Sequence, residues 1–152
     1  MLSAFLNLPT SQKAKALEIG LLLYYYKIYL SAFPFSKVLT MVGRLQNSLD
    51  KVRKPSLSRE TVYTLVDRIS KRLPGCDNCM IRSLTALRLS GGYEKPPIFK
   101  IGVRISKNKE IIDNEQENSF SAHAWLETKQ GKVVFEETPD LSKYRVLESL
   151  AN

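Results

Sequence analysis

The sequence predicts an α+β fold: N-terminal helices first, then a helix packed on an antiparallel sheet. Three observations predict it. Apolar residues recur at helical spacing before Gly91-Gly92, the period drops to two after it, and a hairpin signal rather than a helical crossover joins the later strands. At 152 residues and 43% hydrophobic, the chain is long enough for one domain with its own core.

Pro9-Thr10-Ser11 supplies caps for a first helix over roughly 11 to 31, whose middle, Ala16 to Leu30, is apolar nearly all round. A bilayer span needs about 20 mostly apolar residues. Glu18, Lys27 and four tyrosines interrupt this run, so a buried or partner-facing helix is favoured over membrane contact. Phe33-Pro34 stops it, and Ser36 is expected to cap a shorter helix with Val38, Leu39, Val42 and Leu45 on one face. Residues 47 to 58 form a polar, basic connection, which divides an N-terminal helical segment (1–57), available to a partner, from a core (58–152). Ser58 caps a third helix with Val62, Leu65, Val66, Ile69 and Leu73 in one stripe, ended by Pro74-Gly75.

Asp77 and Asn78 can cap a fourth helix that begins at Cys79 and runs to about Ser90. Cys79, Ser83, Ala86 and Ser90 share a face of small side chains, which lets the helix axis approach a sheet closely. Phe99, Ile101, Val103 and Ile105 then alternate with Lys100, Gly102 and Arg104 as a half-buried strand. Further strands are expected over 121–128 and 132–137, joined near Lys129-Gln130-Gly131, with a last short strand or turn over 144–147.

The charge is uneven. The formal net charge is +8, and the excess lies before Cys76, since the half after it is balanced. No basic run, aromatic-basic motif or zinc-ligand spacing accompanies it, so nucleic acid is not the expected partner. An acidic peptide, a partner protein or an anionic surface fits equally well.

A thiol at a helix start sits among unpaired backbone N–H groups at the positive end of the dipole, a setting that favours the thiolate. Cys79 occupies that position, and His123, the only histidine, lies on a strand. Together they make the nucleophile and base of a cysteine hydrolase or acyl transferase, with the Cys79 N–H as an oxyanion donor. Cys76 completes a Cys-x-x-Cys pair, but a helix rather than a strand precedes it, and too few further ligands exist for zinc. No cofactor or metal is expected. The residue that orients His123 is open. Glu127 is about 13 Å along the same strand at 3.3 Å per residue, too far to reach. A two-residue Gln130-Gly131 turn, the register favoured here, puts Glu136 on the His123 side of the sheet as the expected catalytic acid; a three-residue loop puts Glu137 directly opposite His123 instead.

The blocks Cys79-Met80-Ile81-Arg82-Ser83-Leu84-Thr85-Ala86-Leu87, Ile101-Gly102-Val103-Arg104, Ala122-His123-Ala124-Trp125-Leu126-Glu127 and Gly131-Lys132-Val133-Val134 resemble the lasso-peptide leader peptidases. These are transglutaminase-like cysteine proteases. The N-terminal helices with Phe33-Pro34-Phe35 are similar to that family's entry segment, so the resemblance covers most of the chain. It implies a papain/transglutaminase-like core at 58–152 and a Cys-His-acid mechanism that removes the leader of a ribosomally made precursor in the bacterial cytoplasm. It also implies a small leader-binding partner protein and a cyclase of the asparagine-synthetase type. Cys79 matches the nucleophile and His123 the base. Glu136 matches the family's Asp when counted from Gly131, and Glu137 matches it when counted back from Thr138-Pro139. Non-catalytic binding by the same fold, or acyl transfer or amide hydrolysis by the same Cys and His, are the alternatives.

Overall fold

The computed structural model describes residues 9–49, 55–107, 118–135 and 140–149. Helices α1 (Thr10–Ala32), α2 (Phe35–Ser48), α3 (Arg59–Ser70) and α4 (Cys79–Leu89) precede strands β1 (Ile98–Lys107), β2 (Asn118–Glu127) and β3 (Arg145–Ser149). A 3₁₀ turn, Leu141–Lys143, leads into β3. The sheet is antiparallel, in the order β2-β1-β3, so the α+β expectation is met.

Prolines, not hydroxyl caps, start the first two helices. Pro9 and Pro34 are the N-cap residues, neither with a side-chain cap, and Ser36 falls inside the first turn of α2. Proline fixes φ and has no N–H to satisfy, so it can stand at a helix entrance without a capping side chain. It also forces the preceding Phe33 into extended backbone (φ −120°, ψ 145°), which ends α1. Ser58 does cap α3, accepting from the Thr61 N–H at 3.2 Å. That helix ends at Ser70, earlier than Pro74-Gly75 suggested, and the chain continues in turns closed by Leu73 N–H to Ile69 C=O and Cys76 N–H to Leu73 C=O, both 3.1 Å. Leu73, expected on the helical stripe, lies beyond the helix yet still packs against the core.

Helix α4 is the hub: it packs against α1, α2, α3 and β2. Leu84, Ala86 and Leu87 are fully buried, and Ile81 nearly so. Each large side chain buried in this way contributes about 1.5–3 kcal/mol relative to exposure. Ile19 and Leu23 of α1, Val38 and Val42 of α2, Val62 and Val66 of α3, and Phe99, Ile101, Ala124 and Leu126 of the sheet complete one continuous cluster. It joins residues on both sides of position 57. Gln46 ties α2 to the start of β1, donating to Pro97 C=O at 3.2 Å and accepting from Phe99 N–H at 3.4 Å.

The third strand expected over 132–137 is reduced, among the described residues, to a single bridge between Glu127 and Val133. The hairpin itself is formed. Thr128 N–H donates to Lys132 C=O at 2.8 Å and Gly131 N–H to Thr128 C=O at 2.9 Å, leaving Lys129, Gln130 and Gly131 as a three-residue loop. Gly131 takes φ +80°, the left-handed conformation such a loop requires at its last residue. Two residues after the bridge the Phe135 side chain turns into the helical layer, 6.2 Å from the Tyr63 ring and under the Arg82 guanidinium at 4.7 Å.

Candidate active site

Successive side chains of a strand point to opposite faces. On β2, Ala124 and Leu126 enter the core beneath α4, while His123 and Trp125 project from the other face. What brings His123 within reach of the helix is the edge of the sheet. β2 is an outer strand, and Ser83 of α4 donates to the Ala124 carbonyl at 3.3 Å, so the helix runs along that edge. Cys79 lies one turn before Ser83 on the same helix face, about 6 Å along the axis. The small-residue face thus does what its spacing suggested at Ser83. At Ser90 it meets α3 instead, where Ser90 Oγ and Tyr63 Oη are 2.8 Å apart.

The start of α4 is well defined. Asn78 caps it, its carboxamide oxygen accepting from Met80 N–H at 2.9 Å. The Cys79 N–H has no partner among the described residues and stays available to an incoming acceptor. Cys79 is half-buried with a free thiol, whereas Cys76 is fully buried in the core. Accessibility therefore separates the two cysteines.

His123 is held from three sides. It pairs across the sheet with Gly102, stacks on Trp125 (6.1 Å between ring centres, 18° between planes) and meets Tyr144 at 5.7 Å. A Cβ at residue 102 would stand 2.9 Å from Trp125 and 2.9 Å from Tyr144, so only glycine lets both rings close over the strand. Burial, and after it the positive Arg82, hold the imidazole below the usual histidine pKa, keeping it neutral as a base must be. Its Nε2 is buried and has no hydrogen-bond partner among the described residues. Trp125 Nε1 and Arg82 Nε are orphaned in the same way. No hydrogen bond links the Cys79 thiol to that Nε2.

Arg82, one turn after Cys79, had no role assigned from sequence. Its guanidinium pairs with Asp67 of α3 and with Asp77 at 3.3 Å, and covers the Phe135 ring. It thereby joins the loop before Cys79, the third helix and the end of the hairpin. Spacing alone could have flagged three residues here: Arg82 by its one-turn distance from Cys79, Trp125 by its period-two relation to His123, and Gly102 as a glycine inside a strand. Tyr144 had no local signal. Glu127 is engaged by Lys100 at 2.8 Å, in keeping with its exclusion as the orienting group.

Glu136 and Glu137 lie outside the described residues. The loop nevertheless has three residues, not the two on which the position of Glu136 rested, and Val134 N–H to Leu126 C=O (3.0 Å) carries that register one pair beyond the bridge. Beside the site, α3 and the hairpin flank an open cleft of about 460 Å³. Tyr63, Val133 and Phe135 give it an apolar floor, and Arg59, Asp67 and Lys132 give it charged walls. Neither Cys79 nor His123 lines it; it adjoins them through Asp67 and Phe135, both contacts of Arg82.

Residues 22–149 match the family model described as the transglutaminase-like superfamily. No curated protein and no solved structure matches the chain. None of the helices among the described residues is long and apolar enough to cross a membrane.

Proposed function

The chain belongs to the transglutaminase-like superfamily, a cysteine-protease and acyltransferase type of fold, and from that premise we propose that it is a cysteine peptidase removing the leader of a ribosomally made lasso-peptide precursor. The observation that supports the chemistry is the Ser83–Ala124 hydrogen bond, which ties α4, one turn after Cys79, to the residue next to His123. His123 takes the Cys79 thiol proton through Nδ1, and the resulting thiolate attacks the scissile carbonyl carbon, forming a C–S bond. The Cys79 N–H donates to the developing oxyanion. The His123 imidazolium gives its proton to the departing amine as the C–N bond breaks, then takes one from the water that hydrolyses the thioester. An orienting carboxylate belongs at the orphaned Nε2. Glu136 and Glu137 are the candidates, and the three-residue loop favours Glu137. The cleft beside Phe135 suits an extended peptide segment on the way to Cys79.

This reading carries with it a cytoplasmic setting, a small leader-binding partner and a downstream cyclase of the asparagine-synthetase type. It is tested by incubating the full chain with the precursor and the leader-binding partner encoded beside it, following products by mass spectrometry. Leader release that depends on Cys79 and His123 supports it. One rival is a binding scaffold of the same fold. Precursor binding without release, equal in wild type and Cys79→Ala, would establish that rival. Transfer of the acyl group to an added amine would make the protein an acyltransferase.

A further inference from the structure

Helix α1 carries two apolar faces. Ile19, Leu23 and Tyr26 are buried in the core. On the opposite side Ala14, Leu17, Leu21, Tyr24 and Ile28 follow one another at spacings of three, four, three and four, the a/d seam of a coiled coil. All five are exposed, Leu17, Leu21 and Ile28 by about two thirds (64%, 66% and 66%). No element of the described structure covers them.

We propose that this seam is the docking face for an amphipathic α-helix of a partner protein, one with carboxylates along the flanks of its own apolar seam. The spacing selects a helix. The a/d row, with Tyr25 (53% exposed) beside it, is the pattern into which the knobs of a second helix fit. The charge selects an acidic helix. Lys13 and Lys27 flank the seam on one side, the Lys27 ammonium donating to Pro74 C=O at 2.8 Å while lying 5.6 Å from the Tyr24 ring. The one carboxylate on α1, Glu18, is already paired with Lys15 at 2.6 Å. The same charges disfavour a second copy: an antiparallel pair of α1 helices would set Lys13 against Lys27, between chains that each carry +8. This surface is independent of the chemistry at Cys79.

The test uses the purified full chain and two fluorescent synthetic three-heptad peptides, both with Leu at a and d. One has Glu at the flanking e and g positions, the other Lys. The Glu peptide should bind at least about tenfold more tightly than the Lys peptide, and its affinity should fall as salt rises. The Leu21→Ser/Ile28→Ser variant should lose at least about tenfold in affinity with no change in melting temperature, because both side chains face solvent. Equal binding of the two peptides, or unimpaired binding by the variant, would overturn the proposal. So would two other outcomes: a wild-type dimer in sedimentation that the variant abolishes, which assigns the face to a second copy, or flotation with anionic vesicles that the variant abolishes, which assigns it to lipid.

Discussion

Two faces of this molecule hold large apolar side chains outside the main core, and they are treated in opposite ways. On the outer face of the sheet, Trp125 is 3% exposed, sealed by Tyr144 over the glycine at 102. On the outer face of α1, Leu21 is 66% exposed. The sealed face holds polar atoms with no partner among the described residues, His123 Nε2 and Trp125 Nε1, while the exposed seam of α1 is made of hydrocarbon and phenol rings. Burying an unpaired polar group costs about 1–3 kcal/mol, so such atoms persist where another group is meant to meet them. Exposed Leu and Ile cost the monomer little and store contact area. On the functions proposed above, one face serves chemistry and the other association.

If that contrast holds, changes at the sealed face should act on turnover and changes at the open face on binding. The largest effect is expected at the reacting pair. Cys79→Ala and His123→Ala should each abolish leader release in the mass-spectrometric assay, whereas Cys76→Ala should lower the melting temperature and leave turnover largely intact, because Cys76 is a fully buried core residue. Loss of turnover in Cys76→Ala at a temperature where the fold is intact would revive a dithiol mechanism.

Next comes the orienting carboxylate. The loss of that function in a serine protease lowered kcat about 10⁴-fold. Glu137→Gln is expected to slow turnover by orders of magnitude and Glu136→Gln only mildly, the order set by the three-residue loop. The reverse order in steady-state kinetics would show that the register shifts beyond Val134.

Gly102→Ala should cost about 1–3 kcal/mol in chemical denaturation, since the added methyl overpacks Trp125 and Tyr144. Turnover should fall as well, because those rings hold His123. Leu21→Ser on the open face should stay within about 0.5 kcal/mol of wild type and turn over normally. Similar losses from both variants would erase the distinction between the faces.

The smallest effect is electrostatic. His123 is the only histidine, so its imidazole can be titrated by NMR without ambiguity. Removing the charge in Arg82→Met should raise its pKa towards the ordinary value of about 6.5, by less than burial alone lowers it. The sign for stability follows. With the folded pKa depressed, the unfolded chain binds the proton more readily, so the contribution of His123 is complete above about pH 6.5 and declines as pH falls below it. His123→Asn should flatten that part of the melting-temperature profile. An unmoved titration in Arg82→Met would reduce Arg82 to a purely structural tie.

Most of what is local was legible in the sequence, the caps of the first two helices and the end of the third excepted. Helical and period-two spacing located the four helices, β1 and β2, and the Asn78 cap put Cys79 at the first helical position, because caps and periodicity are set by residues within a turn or two of one another. The family blocks pointed to Cys79 and His123 for the same reason: each block is contiguous. What the tertiary structure decided is everything that depends on two distant segments meeting. The hairpin has three loop residues because Thr128 and Lys132 pair, and among the described residues the expected strand after it is a single bridge, with Phe135 packed between Tyr63 and Arg82. Tyr144 reaches His123 only because β3 adds to the far side of β1, and Arg82 reaches Asp67 only because α3 and α4 pack side by side. An apolar residue on α1 has the same transfer free energy on either face, so composition could not say which would be covered. Packing chose Ile19 and Leu23 for the core and left Leu17, Leu21 and Ile28 in water.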